Sequence, residues 1–157
     1  MTLVHHYAPC AYLPSIHESG VLRPSNAGAS QRERPLLWFS ANQKWEPTAT
    51  KMMTDRFGRP TQLTFEQQLA RFGCCRFSLP ADDPRLLTWA AACKAVGIGF
   101  TAKRQLEATG RRRGGNPLHW FATAESIDVA DLAFSVFEAG RWVLASLPEL
   151  ADKWADA

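Results

Sequence analysis

Val4-His5-His6-Tyr7-Ala8, then Leu13-Pro14-Ser15-Ile16-His17-Glu18-Ser19-Gly20-Val21-Leu22, then Leu36-Leu37-Trp38-Phe39-Ser40 decide how this chain is read. The first run predicts a strand over 2–7 that ends in histidines. Leu13 and Ile16 share one helical face, Pro14 suits a first turn, and Gly20 is a natural C-cap, so a short helix follows. Residues 23–35 mix Pro, Ser, Asn, Gly and charges without periodicity and predict a loop. Leu36 to Ser40 predicts a second short strand, apolar and buried.

Beyond this segment the elements alternate. Pro47 opens a short helix with Glu46 as a charge at its N-terminus. Arg56 to Pro60 is a turn-rich break. Thr64 and Gln67 form a capping box for a helix to Phe72, closed by Gly73. A strand over 74–79, an Ala-rich helix over 86–96 and a helix from Thr101 to Thr109, stopped by Gly110, follow. Arg111 to Pro117 predicts a basic loop. Three strands, over 118–123, 132–137 and 141–145, come next, the last two as a hairpin, before a terminal helix over 147–154. No repeat or linker interrupts residues 1–157, so the expectation is one α+β domain.

Bulk properties narrow the class. The 157 residues carry a net charge of +3, too mild by itself to imply nucleic-acid binding. The charge is uneven: Arg111, Arg112 and Arg113 stand together, and Arg32 and Arg34 flank Glu33. Such clusters attract phosphates, or simply keep a surface solvated. Cys74 and Cys75, adjacent on a strand, point to opposite faces and make a poor disulfide or metal pair. With no Cys-x-x-Cys, signal segment or membrane-length apolar run, a reduced cytoplasmic protein without membrane contact is expected. His5, His6, Cys10 and His17 match no zinc spacing, so no metal is expected.

The N-terminal third resembles the NAD-binding half of the ADP-ribosyltransferase superfamily, especially the DarT-like nucleic-acid ADP-ribosyltransferases and RNA 2′-phosphotransferases. His6 matches the strand histidine; Leu13, Ile16, Gly20, Val21 and Leu22 match the helix; Trp38, Phe39 and Ser40 fall where the second NAD-facing strand lies. The resemblance covers about the first 50 residues. Ala8 stands where the superfamily commonly has Thr or Ser. It implies an ADP-ribosyltransferase-like split antiparallel sheet with flanking helices, NAD as substrate, and transfer of ADP-ribose to a macromolecule, nucleic acid ahead of protein. A toxin or phage-conflict role goes with the family.

In that reading His6 binds ribose, Tyr7, Trp38 or Trp45 frames nicotinamide, and Ser40 orients. His5 faces the other side of the strand. Arg111, Arg112 and Arg113 face the acceptor. The superfamily's catalytic Glu opens a late strand, but the matching strand here, Leu118-His119-Trp120-Phe121-Ala122-Thr123, has none. Glu125 is the nearest carboxylate, and His119 is the candidate base. The missing Glu supports a second expectation, a catalytically inactive binding module on the same scaffold. A third is single-stranded nucleic-acid binding through Arg111 to Arg113 and exposed Trp, with strong salt dependence.

Overall fold

A computed structural model describes residues 1–25 and 34–156 of the chain. Arg32 and Glu33, with most of the expected 23–35 loop, lie outside the described residues. The fold is mixed α/β, built on one large antiparallel sheet. Its strands are β1 (Leu3–Ala8), β3 (Leu37–Ser40), β6 (Cys75–Pro80), β7 (Leu87–Thr88), β8 (Trp120–Thr123), β10 (Ala133–Glu138) and β11 (Arg141–Leu144), in the spatial order β11-β10-β6-β1-β3-β8-β7. Two small ribbons accompany it: β2 (Val21–Leu22) pairs β9 (Ile127–Asp128), and β4 (Met52–Thr54) pairs β5 (Pro60–Gln62).

The helices are α1 (Leu13–Ser19), α2 (Phe65–Phe72), α3 (Trp89–Val96), α4 (Phe100–Arg112) and α5 (Leu147–Ala155). Their local signals act as the sequence predicts. Gly20 ends α1 in the left-handed conformation at φ 74°. The Thr64 hydroxyl accepts from the Gln67 amide, and Gln67 Oε1 accepts in return from the Thr64 amide, closing the capping box of α2. Such a cap is worth about 1 kcal/mol.

Strand alternation divides the core. Val4, Ala8, Leu37, Phe39, Cys75, Phe77 and Leu79 pack on one face against Leu13 of α1 and Leu147 and Ala151 of α5. On the other face Tyr7 and Cys74 pack with Phe65 and Leu69 of α2, while Trp38, Trp89 and Trp120 bring in α3 and α4. Cys74 and Cys75 therefore do face apart. All four cysteines are buried free thiols.

Three expectations are corrected. Gly110 does not stop α4, which runs on to Arg112. A Cβ on Gly110 would lie 2.4 Å from Trp120 Cη2, so the missing side chain serves a close helix-to-strand approach. Arg111 and Arg112 accordingly end a helix rather than open a loop. The expected break over 56–60 is present, as the turn that joins β4 to β5. Leu87 and Thr88, expected in a helix, extend the sheet by pairing with Ala122 and Phe121, and the Thr88 hydroxyl then caps α3. Among the described residues, no helix is long and apolar enough to cross a membrane.

One topological detail positions everything below. β1 and β6 pair along six positions, Leu3 to Ala8, whereas β1 and β3 share a single register pair, His5 with Ser40. Past that pair the two halves of the sheet separate, and a cleft opens between them.

Candidate functional site

The cleft has a volume of about 550 Å³ and takes residues from both sides of the gap. His6 and Tyr7 come from β1, and Trp38 and Ser40 from β3. Glu46, Thr48 and Lys51 come from the following segment, and Arg113 and Trp120 from the far wall. A space of this size, walled by aromatic rings with a few convergent polar groups, suits a nucleotide-sized ligand.

His6 sits where the strands part. Its Nδ1–H donates to the Trp38 carbonyl at 2.8 Å, bridging the gap. A carbonyl only accepts, so the proton is on Nδ1 and Nε2 is left as an acceptor for a ligand hydroxyl. Burial lowers the His6 pKa, partly offset by the Trp38 bond, so the ring is neutral at pH 7.

Ser40 and Glu46 form the polar centre. Ser40 Oγ–H donates to Glu46 Oε1 at 2.9 Å, and the Thr48 amide and hydroxyl donate to Oε2 at 3.0 and 2.6 Å. Glu46 is 7% exposed and is the one carboxylate among the described residues lining the cleft. It caps the short 3-10 turn Pro47–Ala49, as its sequence position predicts. The same cap holds it rigidly at the cleft, and this second consequence is what sequence reasoning missed. The available signal was the pairing of Ser40 with a Glu immediately before Pro47.

The segment carrying Glu46 is anchored from three strands. His5 Nε2–H donates to Gln43 Oε1 at 2.8 Å while Ser78 Oγ–H donates to His5 Nδ1 at 2.6 Å. The Tyr7 hydroxyl donates to the Asn42 carbonyl. Arg76 Nη1 reaches the Gln43 carbonyl, and Trp142 Nε1 the Lys44 carbonyl, at 2.8 and 2.9 Å. Burial pushes Tyr7 up to about 12, so it stays a hydroxyl donor. His5 borders the cleft as well, but both its ring nitrogens are spent on these anchors.

His5 is lowered too, chiefly by burial, with the Gln43 bond opposing and Arg76 adding. The unfolded chain therefore binds protons that the folded chain refuses once pH falls below about 6.5. Stability from these two rings is full above that value and is lost as pH falls through it toward their depressed folded values. Thermal melts at pH 7.5 and 5.5 should show a lower Tm at 5.5. A His5→Asn/His6→Asn variant should show a smaller difference; an equal difference would place the acid sensitivity elsewhere.

The remaining candidates divide. Trp38 lines the cleft, tilted against Trp89 with ring centroids 5.2 Å apart. Trp45 does not: it is buried against Tyr7 and Phe65, its indole N–H donating to Thr50 Oγ1 at 2.9 Å. Glu125 is exposed beyond the end of β8 away from Trp120, and His119 closes the turn before that strand; neither lines the cleft. Cys10 is buried outside it.

Arg113 turns inward, its Nε–H donating to Gln62 Oε1 at 3.3 Å and its Nη2 to the Thr50 carbonyl. Burial draws its pKa down, with Glu46 offsetting part of this. Arg111 and Arg112 are exposed. Among the described residues no group of three or more His, Cys, Asp or Glu is placed to hold a metal ion. No protein-family model, curated protein or solved structure matches the chain.

Proposed function

We propose that this chain is an ADP-ribosyltransferase-like enzyme that cleaves NAD in the β1–β3 cleft and transfers ADP-ribose to a macromolecule, nucleic acid ahead of protein. The observation that carries the reading is convergence: His6, Ser40 and a Ser40-oriented carboxylate, Glu46, meet in one cleft at the split of the sheet. His6 Nε2 accepts from a ribose hydroxyl, and Trp38 offers an aromatic face to the nicotinamide. Glu46 takes the carboxylate role in place of Glu125.

In the reaction the ribose C1′–N bond breaks and its electron pair leaves with nicotinamide, which departs neutral. The ribose becomes oxocarbenium-like, and a fixed buried carboxylate stabilises that positive charge without reorganising. The acceptor's lone pair then forms the new bond to C1′, and its proton passes to Glu46 or to solvent. Burial of Glu46 strengthens the electrostatic part, since its charge is only weakly screened by solvent.

A second reading has its own support. Three hydrogen bonds already engage the Glu46 carboxylate, as they would in a rigid module that grips a ligand without turning it over. Free nicotinamide released by the purified protein separates the two. Release in the native protein that drops at least about 100-fold in His6→Ala supports the enzyme. NAD binding by calorimetry without release, with nucleic acid and cell extract both supplied as acceptors, selects the binding module.

A further inference from the structure

We propose that the β4–β5 hairpin is a docking element for single-stranded nucleic acid, with Arg56, Phe57 and Arg59 at its tip reading base faces and phosphates. Phe57 is 66% exposed at the tip, where most large apolar side chains of this protein are withdrawn. The Arg56 and Arg59 guanidinium groups lie 4.8 and 5.0 Å from its ring centroid. A ring and two planar cations on one turn present stacking surfaces and phosphate donors together.

The tip is held in that shape. Asp55 Oδ1 accepts from the Phe57 and Arg59 amides at 2.8 and 2.9 Å, the Gly58 amide returns to the Asp55 carbonyl, and Gly58 takes φ 78°. Asp55 Oδ2 pairs with Arg59 Nε at 3.1 Å. The turn's one acid is thereby committed to its geometry, and the outward side is cationic and aromatic. A turn formed in advance spends no ordering entropy on binding.

The placement also fits a chain led toward the cleft. β4 begins at Met52, which with Lys51 lines the cleft, so its three residues lift the tip roughly 10 Å from the rim. At ~3.4 Å per stacked nucleotide this spans about three nucleotides. Gln62 of β5 is tied to Arg113, which directly follows the exposed Arg111 and Arg112 at the end of α4. An acidic polypeptide would use the charges but not the exposed ring, and a duplex hides its base faces, so an unpaired strand is the occupant these features favour.

The hairpin's affinity does not depend on the NAD reading; its role as presenter of the acceptor does. Fluorescence anisotropy without NAD, using labelled dT12 and rU12, tests the binding, with the two oligonucleotides separating DNA from RNA. Phe57→Ala should weaken binding of the preferred strand about 5- to 100-fold. Arg56→Gln/Arg59→Gln should make the slope of log affinity against log salt shallower by about 1.4. Phe57→Ala should keep the native Tm, and Arg56→Gln/Arg59→Gln should lower it only slightly, because the Asp55–Arg59 pair it removes is surface-exposed and worth under about 1 kcal/mol.

Absent oligonucleotide binding, an unchanged affinity in Phe57→Ala, or equal binding of a poly-glutamate of matched charge would each overturn the proposal. In the same variant, nicotinamide release with water as acceptor should be unchanged. Loss of strand binding with retained release refutes nothing about the cleft, and retained strand binding without any release leaves the hairpin standing while the enzyme reading fails.

Discussion

Glu46→Gln is expected to reduce NAD cleavage at least about 100-fold while leaving the protein folded, because it removes charge and keeps shape. The glutamine oxygen can still accept from the Thr48 amide and hydroxyl, and its amide group can donate to Ser40 Oγ, so the 3-10 turn keeps its cap. What disappears is the negative charge that, in the proposed reaction, faces the ribose as it becomes cationic. Removal of a single preorganised electrostatic group of this kind costs about 10²–10³ in rate. The loss should fall on kcat more than on KM, since the ground-state sugar is uncharged at C1′. Glu125→Gln, exposed and away from the cleft, should behave as the native protein does. Were Glu46→Gln to release nicotinamide at more than half the native rate, the carboxylate assignment would fail.

Gly73→Ala is expected to be the most damaging single-methyl change. Gly73 joins α2 to β6 with φ 67° and ψ 167°, a region open in practice to glycine alone. A Cβ there would stand 2.7 Å from Cys10 Cβ and Sγ and 2.8 Å from Trp154 Cζ2, all in the core between the sheet and α5. Backbone strain of about 1–3 kcal/mol and overpacking of about 1–3 kcal/mol act together. Against a total stability of about 5–15 kcal/mol this is a large share. Thermal unfolding should show Tm lower by roughly 4–24 °C, at 2–4 °C per kcal/mol for a chain of this size. A shift under 2 °C would mean that Trp154 and Cys10 yield at little cost, and that the α5 packing is looser than its burial implies.

The two variants also separate kinds of damage. The methyl added at Gly73 would press on Cys10 and Trp154, neither of which lines the cleft, so on the proposed reading NAD affinity at low temperature should survive Gly73→Ala. Glu46→Gln should do the reverse, sparing the melt and stopping the chemistry. Together they distinguish a folding defect from loss of the proposed chemistry in the cleft that opens where the sheet divides.

Several features follow from residues close in sequence. The His-bearing strand, α1 with its Gly20 stop, the Thr64–Gln67 capping box and the β10–β11 hairpin are all encoded by neighbours within a few positions, through alternation, capping and turn chemistry. That His6, Trp38 and Ser40 share one site was expected only from a family resemblance; the pairing of β1 with β3 through His5 and Ser40 is a long-range contact, and all three residues line the one cleft beside it. The tertiary structure decided the rest. Whether Glu46 or Glu125 meets those residues depends on how residues 41–46 are bound by His5, Tyr7, Arg76 and Trp142, partners distant in the chain. Gly110 looks like a helix stop by propensity, and only the Trp120 ring against it shows why a glycine stands inside α4. Local propensity is set by the backbone's own sterics and short-range bonds, whereas the cleft is set by where one pair of strands ceases to pair. That depends on long-range packing across the whole sheet, which no short stretch of residues encodes.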